Sequence, residues 1–209
     1  MQKSTILFLI SILFLVTSCA TNKLEKALKP VAVEKTVYNV PYFANSEIDY
    51  VYKANISVYG NNLSGIFIAK KINETTHRVV FTTEFGNKLL DFEISETDFK
   101  VNSIVDELNR KILINTLKTD FRLLLKKQFL IKEQFEDAEN KVYKSEAEAR
   151  INYLFVSKLE EKLLKIIYSN KRKKKININF TSENNTFAES IVIQHDNIEL
   201  KIELNYLKH

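Results

Sequence analysis

The sequence predicts a single α+β domain, one curved antiparallel sheet with its helices on the apolar face. Three observations point there. From Tyr50 to Ile94 apolar residues recur at every second position. Between Ser103 and Lys127 the spacing lengthens to that of a helix, and in the last third period two returns. A sheet with one buried face alternates in this way, and a helix covering such a face carries an apolar stripe.

The elements follow in chain order. Met1 to Ser4 is polar with one charge at Lys3, and Ile6 to Val16 reads ILFLISILFLV. That run suits the core of a signal peptide and falls short of the about 20 apolar residues that span a bilayer. Val16-Thr17-Ser18-Cys19 then resembles a bacterial lipobox, with the only cysteine of the chain in the acylated position. A thiolate is a strong nucleophile for that alkylation. Residues 1–18 are therefore expected to be a lipoprotein signal peptide, 19–46 a lipidated N-terminus and tether, and 47–209 the folded domain. Two acyl chains anchor a protein stably, so nothing else in the sequence has to supply attachment. Ala20 is not the aspartate that retains lipoproteins in an inner membrane, and no acidic cluster follows Cys19. The expected location is the outer membrane, facing the periplasm.

Past the tether, Ala54, Ile56 and Val58 alternate with Lys53, Asn55 and Ser57, and Gly60-Asn61-Asn62 offers a hairpin turn. Ile66 and Ile68 are assigned to the apolar face of the next strand. Val79 and Phe81 follow, then a turn at Glu84 to Asn87, then Leu90, Phe92 and Ile94. Ser103 with Asp106 has the form of a helix start, and Ile104, Leu108, Ile112, Leu117, Phe121, Leu124 and Leu125 make the stripe of one or two helices. Residues 128–150 carry no clear period. Asn152 to Val156 reads as a strand, and Lys158 to Tyr168 fits a helix or a hairpin, with strands preferred. Ile176, Ile178 and Phe180, then Ile191 and Ile193, then Ile198 to Tyr206 complete the sheet.

The chemistry of catalysis is absent. His77, His195 and His209 are scattered without ligand spacing, no serine sits in a nucleophile elbow, and three glycines build no phosphate loop. Neither an enzyme nor a metal or cofactor site is expected. Asp91 and Glu93 fall on the polar face of their strand, where solvated charge is the expectation. The net charge of +5 and the run Lys171, Arg172, Lys173, Lys174 and Lys175 are read without nucleic acid, which a secreted lipoprotein does not meet. That run is either a solvated hairpin or a contact with anionic headgroups, worth about 1 kcal/mol per residue near such a surface.

The segment HRVVFTTEFGNKLLDFEI, from His77 to Ile94, resembles the core of the LolB family, outer-membrane lipoproteins that receive other lipoproteins from the carrier LolA. The shared pattern is an arginine opening an apolar strand, a short turn holding a bulky apolar residue before glycine, and an alternating strand. The polar strand, the helical stretch and the C-terminal strand pair from Glu189 to Leu207 continue it. The chain departs from the family in lacking tryptophan and in its lysine-rich helical region.

The resemblance implies an unclosed β-barrel with α-helices covering a concave apolar face, over a cavity that takes acyl chains. Ile66, Ile68, Val79, Phe81, Leu90 and Phe92 would line it, with Leu108, Leu117 and Phe121 as the lid. It implies that Phe85, beside Gly86, protrudes and helps pass cargo into the membrane; from chemistry alone Phe85 either protrudes or folds back onto the core. The implied partners are a LolA-like periplasmic carrier, acylated lipoproteins as cargo and the outer membrane, with the protein a monomer. The other function weighed is an envelope interaction lipoprotein with the same fold, a packed core and no lipid transfer.

Overall fold

The structure, a computed structural model, describes residues 24–148, 150–170 and 173–207. The expected signal peptide, Cys19, Lys171 and Arg172 lie outside the described residues. A 3-10 turn at Glu25–Ala27 precedes β1 (Lys29–Val31) and β2 (Val37–Asn39). A first meander follows: β3 (Asp49–Val58), β4 (Asn61–Lys71), β5 (His77–Thr82), β6 (Lys88–Ile94) and β7 (Phe99–Ile104). After a 3-10 turn at Asp106–Leu108 come α1 (Lys111–Leu124) and β8 (Gln128–Leu130). The second meander begins with β9 (Glu133–Glu136), β10 (Asn140–Ala147), β11 (Arg150–Ser157) and β12 (Leu163–Asn170). It ends with β13 (Lys173–Thr181), β14 (Ser190–His195) and β15 (Leu200–Tyr206).

Among the described residues thirteen strands form one sheet, in the order β1-β9-β10-β11-β12-β13-β14-β15-β3-β4-β5-β6-β7, and β2 pairs with β8 apart from it. Every pairing in the large sheet is antiparallel. The two meanders join at the centre, where β15 lies on β3 with Ile202 opposite Ile56 and Leu204 opposite Ala54. β7 is thus one edge and β9 lies near the other, so the chain between them must cross the sheet. The helix α1 is part of that crossing.

α1 crosses with its apolar stripe inward: Leu113, Leu117, Phe121 and Leu124 are buried, and the Phe121 ring lies 5.4 Å from that of Phe67 on β4. Between Ser103 and Lys127 one α-helix is present, where the sequence allowed two. Ser103 is on β7 opposite Asp91, so the Ser103–Asp106 signal starts no helix. The backbone leaves helical geometry at Arg110, the residue before α1, and this resets the register after Leu108. Leu113 then faces inward, and Ile112, expected in the stripe, is 68% exposed.

Register also corrects β4. Phe67 pairs with Tyr52 on one side and Phe81 on the other, and all three are buried. Paired residues share a face, so Gly65, Phe67 and Ala69 point inward and Ile66 and Ile68 lie on the outer face, half-buried. Neither can line the interior. The run Ile66-Phe67-Ile68 is apolar throughout, and partner strands chose its face.

The expected tether is built into the fold from Leu24 onward. Leu24 and Leu28 pack on Phe135, Val142, Ile151, Tyr153, Phe155 and Ile167, a second apolar cluster separate from the main core. Val142 and Tyr153 belong to it while their neighbours Tyr143 and Leu154 belong to the main core, so β10 and β11 are apolar on both faces. Pro30 sits on edge strand β1, where its missing N–H costs no ladder bond. The stretch 128–150 resolves into β8, β9 and β10, the first two of which are too short to show a period.

Gly65 marks the tightest approach in the sheet. A β-carbon there would lie 1.8 Å from the Thr82 carbonyl oxygen, beside the register shift between Phe81 and Thr82. Gly65→Ala is therefore expected to lower stability by about 3 kcal/mol. Urea denaturation measures it, and an unchanged midpoint would contradict the packing described.

Candidate functional site

The apolar interior lies between the inner face of the sheet and α1. Val79, Phe81, Leu90, Phe92, Leu108, Leu117 and Phe121 are all buried and belong to one cluster. The segment before β3 also lies across it: the Phe43 ring packs 4.8 Å from Tyr50, and the Tyr42 ring 5.0 Å from Phe180. The Tyr42 hydroxyl donates to the Leu163 carbonyl at 3.0 Å, and His77 Nε2 donates to the Phe43 carbonyl at 3.1 Å. Burial pushes the His77 pKa down, which keeps the ring neutral at pH 7. Side chains fill this interior.

Polar groups fix α1 in place. His195 on β14 sets Nε2 2.9 and 3.0 Å from the two carboxylate oxygens of Asp120, a residue fully buried on the helix. Burial pushes the Asp120 pKa up and the bond to His195 opposes it. Arg122 donates to the Ser95 and Thr97 carbonyls, each at 2.9 Å, tying the end of α1 to the β6–β7 turn. Sequence gave no sign of the Asp120–His195 pair, whose members are 75 residues apart.

Beside the first half of α1 a cleft of about 310 Å³ opens, bordered by Asn115 and Thr119 of the helix and by Tyr168, Lys175, His195 and Asn197. Ile112, Ile176 and Ile198 complete a lining of mixed polarity, and none of the expected cavity residues borders it. Of the expected headgroup contact, Lys175 borders the cleft, and Lys173 and Lys174 open the same strand.

The β5–β6 hairpin presents Phe85 to solvent. Thr83 N–H donates to the Asn87 carbonyl at 2.8 Å and Gly86 N–H to the Thr83 carbonyl at 3.0 Å. Gly86 takes φ +85°, which a residue with a β-carbon adopts only under strain. With the turn so fixed, Phe85 is 94% exposed and does not fold back on the core.

Asp91 is not solvated as its alternation suggested. Its side chain is 1% exposed beneath Arg78 Nη2 at 2.6 Å and Lys88 Nζ at 2.8 Å, and Asn102 donates to it at 3.2 Å. The Arg78 guanidinium, with Lys88 and Asn102, holds its carboxyl far below the usual range against the opposing effect of burial. Glu93, beside it, accepts from Asn102 at 2.9 Å and stays partly exposed. No group of three His, Cys, Asp or Glu side chains that could hold a metal occurs among the described residues.

With this geometry the chain is similar to a LolA superfamily protein from Nitrosomonas europaea, with a TM-score of 0.52 at 8% identity over 81% of this chain and 88% of that one. That likeness shows a shared fold. A DUF1329 family protein from Desulfovibrio piger matches at TM-score 0.43 and 11% identity, over 77% of this chain and 84% of that one. A Vibrio parahaemolyticus domain described as an outer membrane lipoprotein-sorting protein matches at TM-score 0.44 and 7% identity, over 77% and 83%. No family model and no curated protein sequence matches the chain.

Two outcomes follow from the buried charges. Because folding lowers the Asp91 pKa, its contribution is complete above the ordinary carboxylate value of about 3.9 and is lost as pH falls through the lowered one. Asp91→Asn is expected to cost roughly 2 kcal/mol at pH 7. The gap from wild type should close in strong acid, as denaturation at a series of pH values would show. His195→Leu strands the Asp120 carboxylate and should cost about 3 kcal/mol, while the double variant with Asp120→Leu recovers much of it. A double variant no more stable than the single one would mean that the pair is not what the helix depends on.

Proposed function

We propose that this chain is a non-enzymatic outer-membrane lipoprotein, anchored through lipid on Cys19 and facing the periplasm. It accepts acylated lipoproteins from a soluble LolA-like carrier and inserts them into the outer membrane. The exposed Phe85 carries the proposal, because an aromatic ring held out on an ordered turn serves no packing need of its own. Burying it in lipid gains roughly 1.5–3 kcal/mol, too little to anchor the protein and enough to bias an insertion step. The LolA-superfamily fold supports the same reading.

The acyl chains would lie between the sheet and α1. In support of a strongly curved, unclosed sheet, adjacent residues Tyr42 and Phe43 bond to Leu163 on β12 and His77 on β5. Those strands are six places apart in the sheet order, about 29 Å if the sheet were flat. The interior is filled, so acyl chains would enter by displacing the Leu113–Phe121 stripe of α1. Apolar groups would then replace apolar groups on the sheet, and each buried CH₂ of cargo contributes about 0.8 kcal/mol.

The packed interior favours a second reading, an envelope interaction lipoprotein of the same fold that transfers no lipid. A transfer assay separates the two. A soluble form beginning at Ala20 keeps every residue from Leu24 to Leu207 and would be mixed with an acylated lipoprotein held by its carrier. Cargo should move to it, and Phe85→Glu should still accept cargo while delivering it to liposomes roughly 10- to 100-fold more slowly. If no cargo moves and no lipid co-purifies, the interaction reading takes its place.

A further inference from the structure

Alternate strand connections of a meander emerge at the same end of a sheet, and one end of this sheet gathers distinctive residues. The Phe85 turn joins β5 to β6 there, and the two-residue turn Tyr59-Gly60 joins β3 to β4. Tyr59 N–H donates to the Glu199 carbonyl at 3.0 Å, which ties that turn to the β14–β15 connection. Lys53 bridges to Glu84 at 3.2 Å, which sets the Phe85 turn against the middle of β3, with the β3–β4 hairpin reaching further in the same direction to Tyr59. Since β7 runs toward this end, α1 begins there, and Ile112 borders the same cleft as Lys175 and Ile198.

Tyr59 is unusual in conformation as well as place. It holds φ +46°, in the left-handed region that asparagine or glycine ordinarily supplies in a two-residue hairpin turn. A bulky residue kept in so sparse a region points to a use for its side chain. Tyr59 is 48% exposed, and a phenol with an apolar ring and a polar tip suits a membrane–water boundary.

We propose that this end of the sheet is a bilayer-docking face. Tyr59 and Ile112 enter the headgroup region of an anionic membrane together with Phe85, and the start of β13 at Lys175 lies toward the lipid phosphates. Charge selects this end over the other. The opposite end also exposes large apolar residues, Leu159 at 91% and Ile72 at 44%, but Glu160 and Glu161 follow the first directly. Other turns at that end carry Glu74, Glu96, Asp98, Asp137 and Glu139. The docking end holds Glu84, Asp106, Glu107, Asp196 and Glu199 as well, but Lys88, Arg110, Lys111 and Lys173–Lys175 offset them, so an anionic surface disfavours the opposite end more. The docked orientation turns the cleft and the start of α1 toward the bilayer. The role of Phe85 rests on the proposed function, whereas the orientation stands on the charge and exposure of the two ends.

The chain has no tryptophan, so single substitutions report position without background. Full-length protein would be purified from membranes and reconstituted into vesicles of phosphatidylglycerol and phosphatidylethanolamine with brominated acyl chains. Tyr59→Trp, Phe85→Trp and Ile112→Trp should each shift their emission to the blue and lose most of it to bromine quenching. Leu159→Trp should do neither. Replacing phosphatidylglycerol with phosphatidylcholine should weaken the quenching at all three positions. Quenching of Leu159→Trp, or of Phe85→Trp alone, would overturn the docking face, and equal quenching in both lipid mixtures would overturn the role of charge. Failed cargo transfer with the three positions quenched would sink the transfer function and leave the docking face standing.

Discussion

The pairing of β15 with β3 is the constraint on which the architecture depends. It brings the last strand of the chain against the first strand of the first meander, from Leu200 opposite Val58 to Tyr206 opposite Tyr52. Two meanders become one sheet, with their junction in the middle. Their far strands then become the edges, and the link between β7 and β9 has to travel back over the sheet. An amphipathic helix makes that journey with its backbone bonds satisfied internally and its apolar stripe buried. The position of α1 over the interior thus follows from where the C-terminal strand pairs.

The interior combines indiscriminate and specific contacts. Apolar contacts among Phe67, Phe81, Phe92, Leu117 and Phe121 supply attraction without fixing where the helix must sit. The Asp120–His195 pair and the Arg122 bonds to the β6–β7 turn supply position. A buried ion-competent pair is weak as a source of net stability and effective at excluding alternative packings, because any arrangement that separates the two leaves a charge or donor unpaired. In the proposed function this division is useful: acyl chains can substitute for the apolar contacts, and the polar pair defines the closed arrangement to which the helix returns.

Much of the sheet was legible because alternation survives wherever one face is wet. β3, β6, β14 and β15 show it, and their inward residues are buried as expected. It failed on β4, where Ile66 and Ile68 flank Phe67 and only the registers with Tyr52 and Phe81 decide which faces in. It failed again near Leu24 and Leu28, whose partners lie more than a hundred residues away on a second apolar face. The helix was visible, but its start was not, since a 3-10 turn and an uncapped Arg110 replace the Ser103 signal. Of the site, the hairpin could be placed by sequence while the exposure of Phe85 could not, because its turn bonds decide it. Asp91 misled for a related reason: a strand position on the polar face says nothing of the arginine and lysine that cover it.

The central claim is that α1 gives way to acyl chains while the sheet stays whole. Hydrogen–deuterium exchange of the protein with and without a synthetic diacylated lipopeptide tests this most directly. The amides of Lys111–Leu124 should lose protection when lipopeptide binds, and those of β14, β15 and β3 should keep theirs. Bound lipopeptide with α1 still fully protected, or no binding at all, would contradict it.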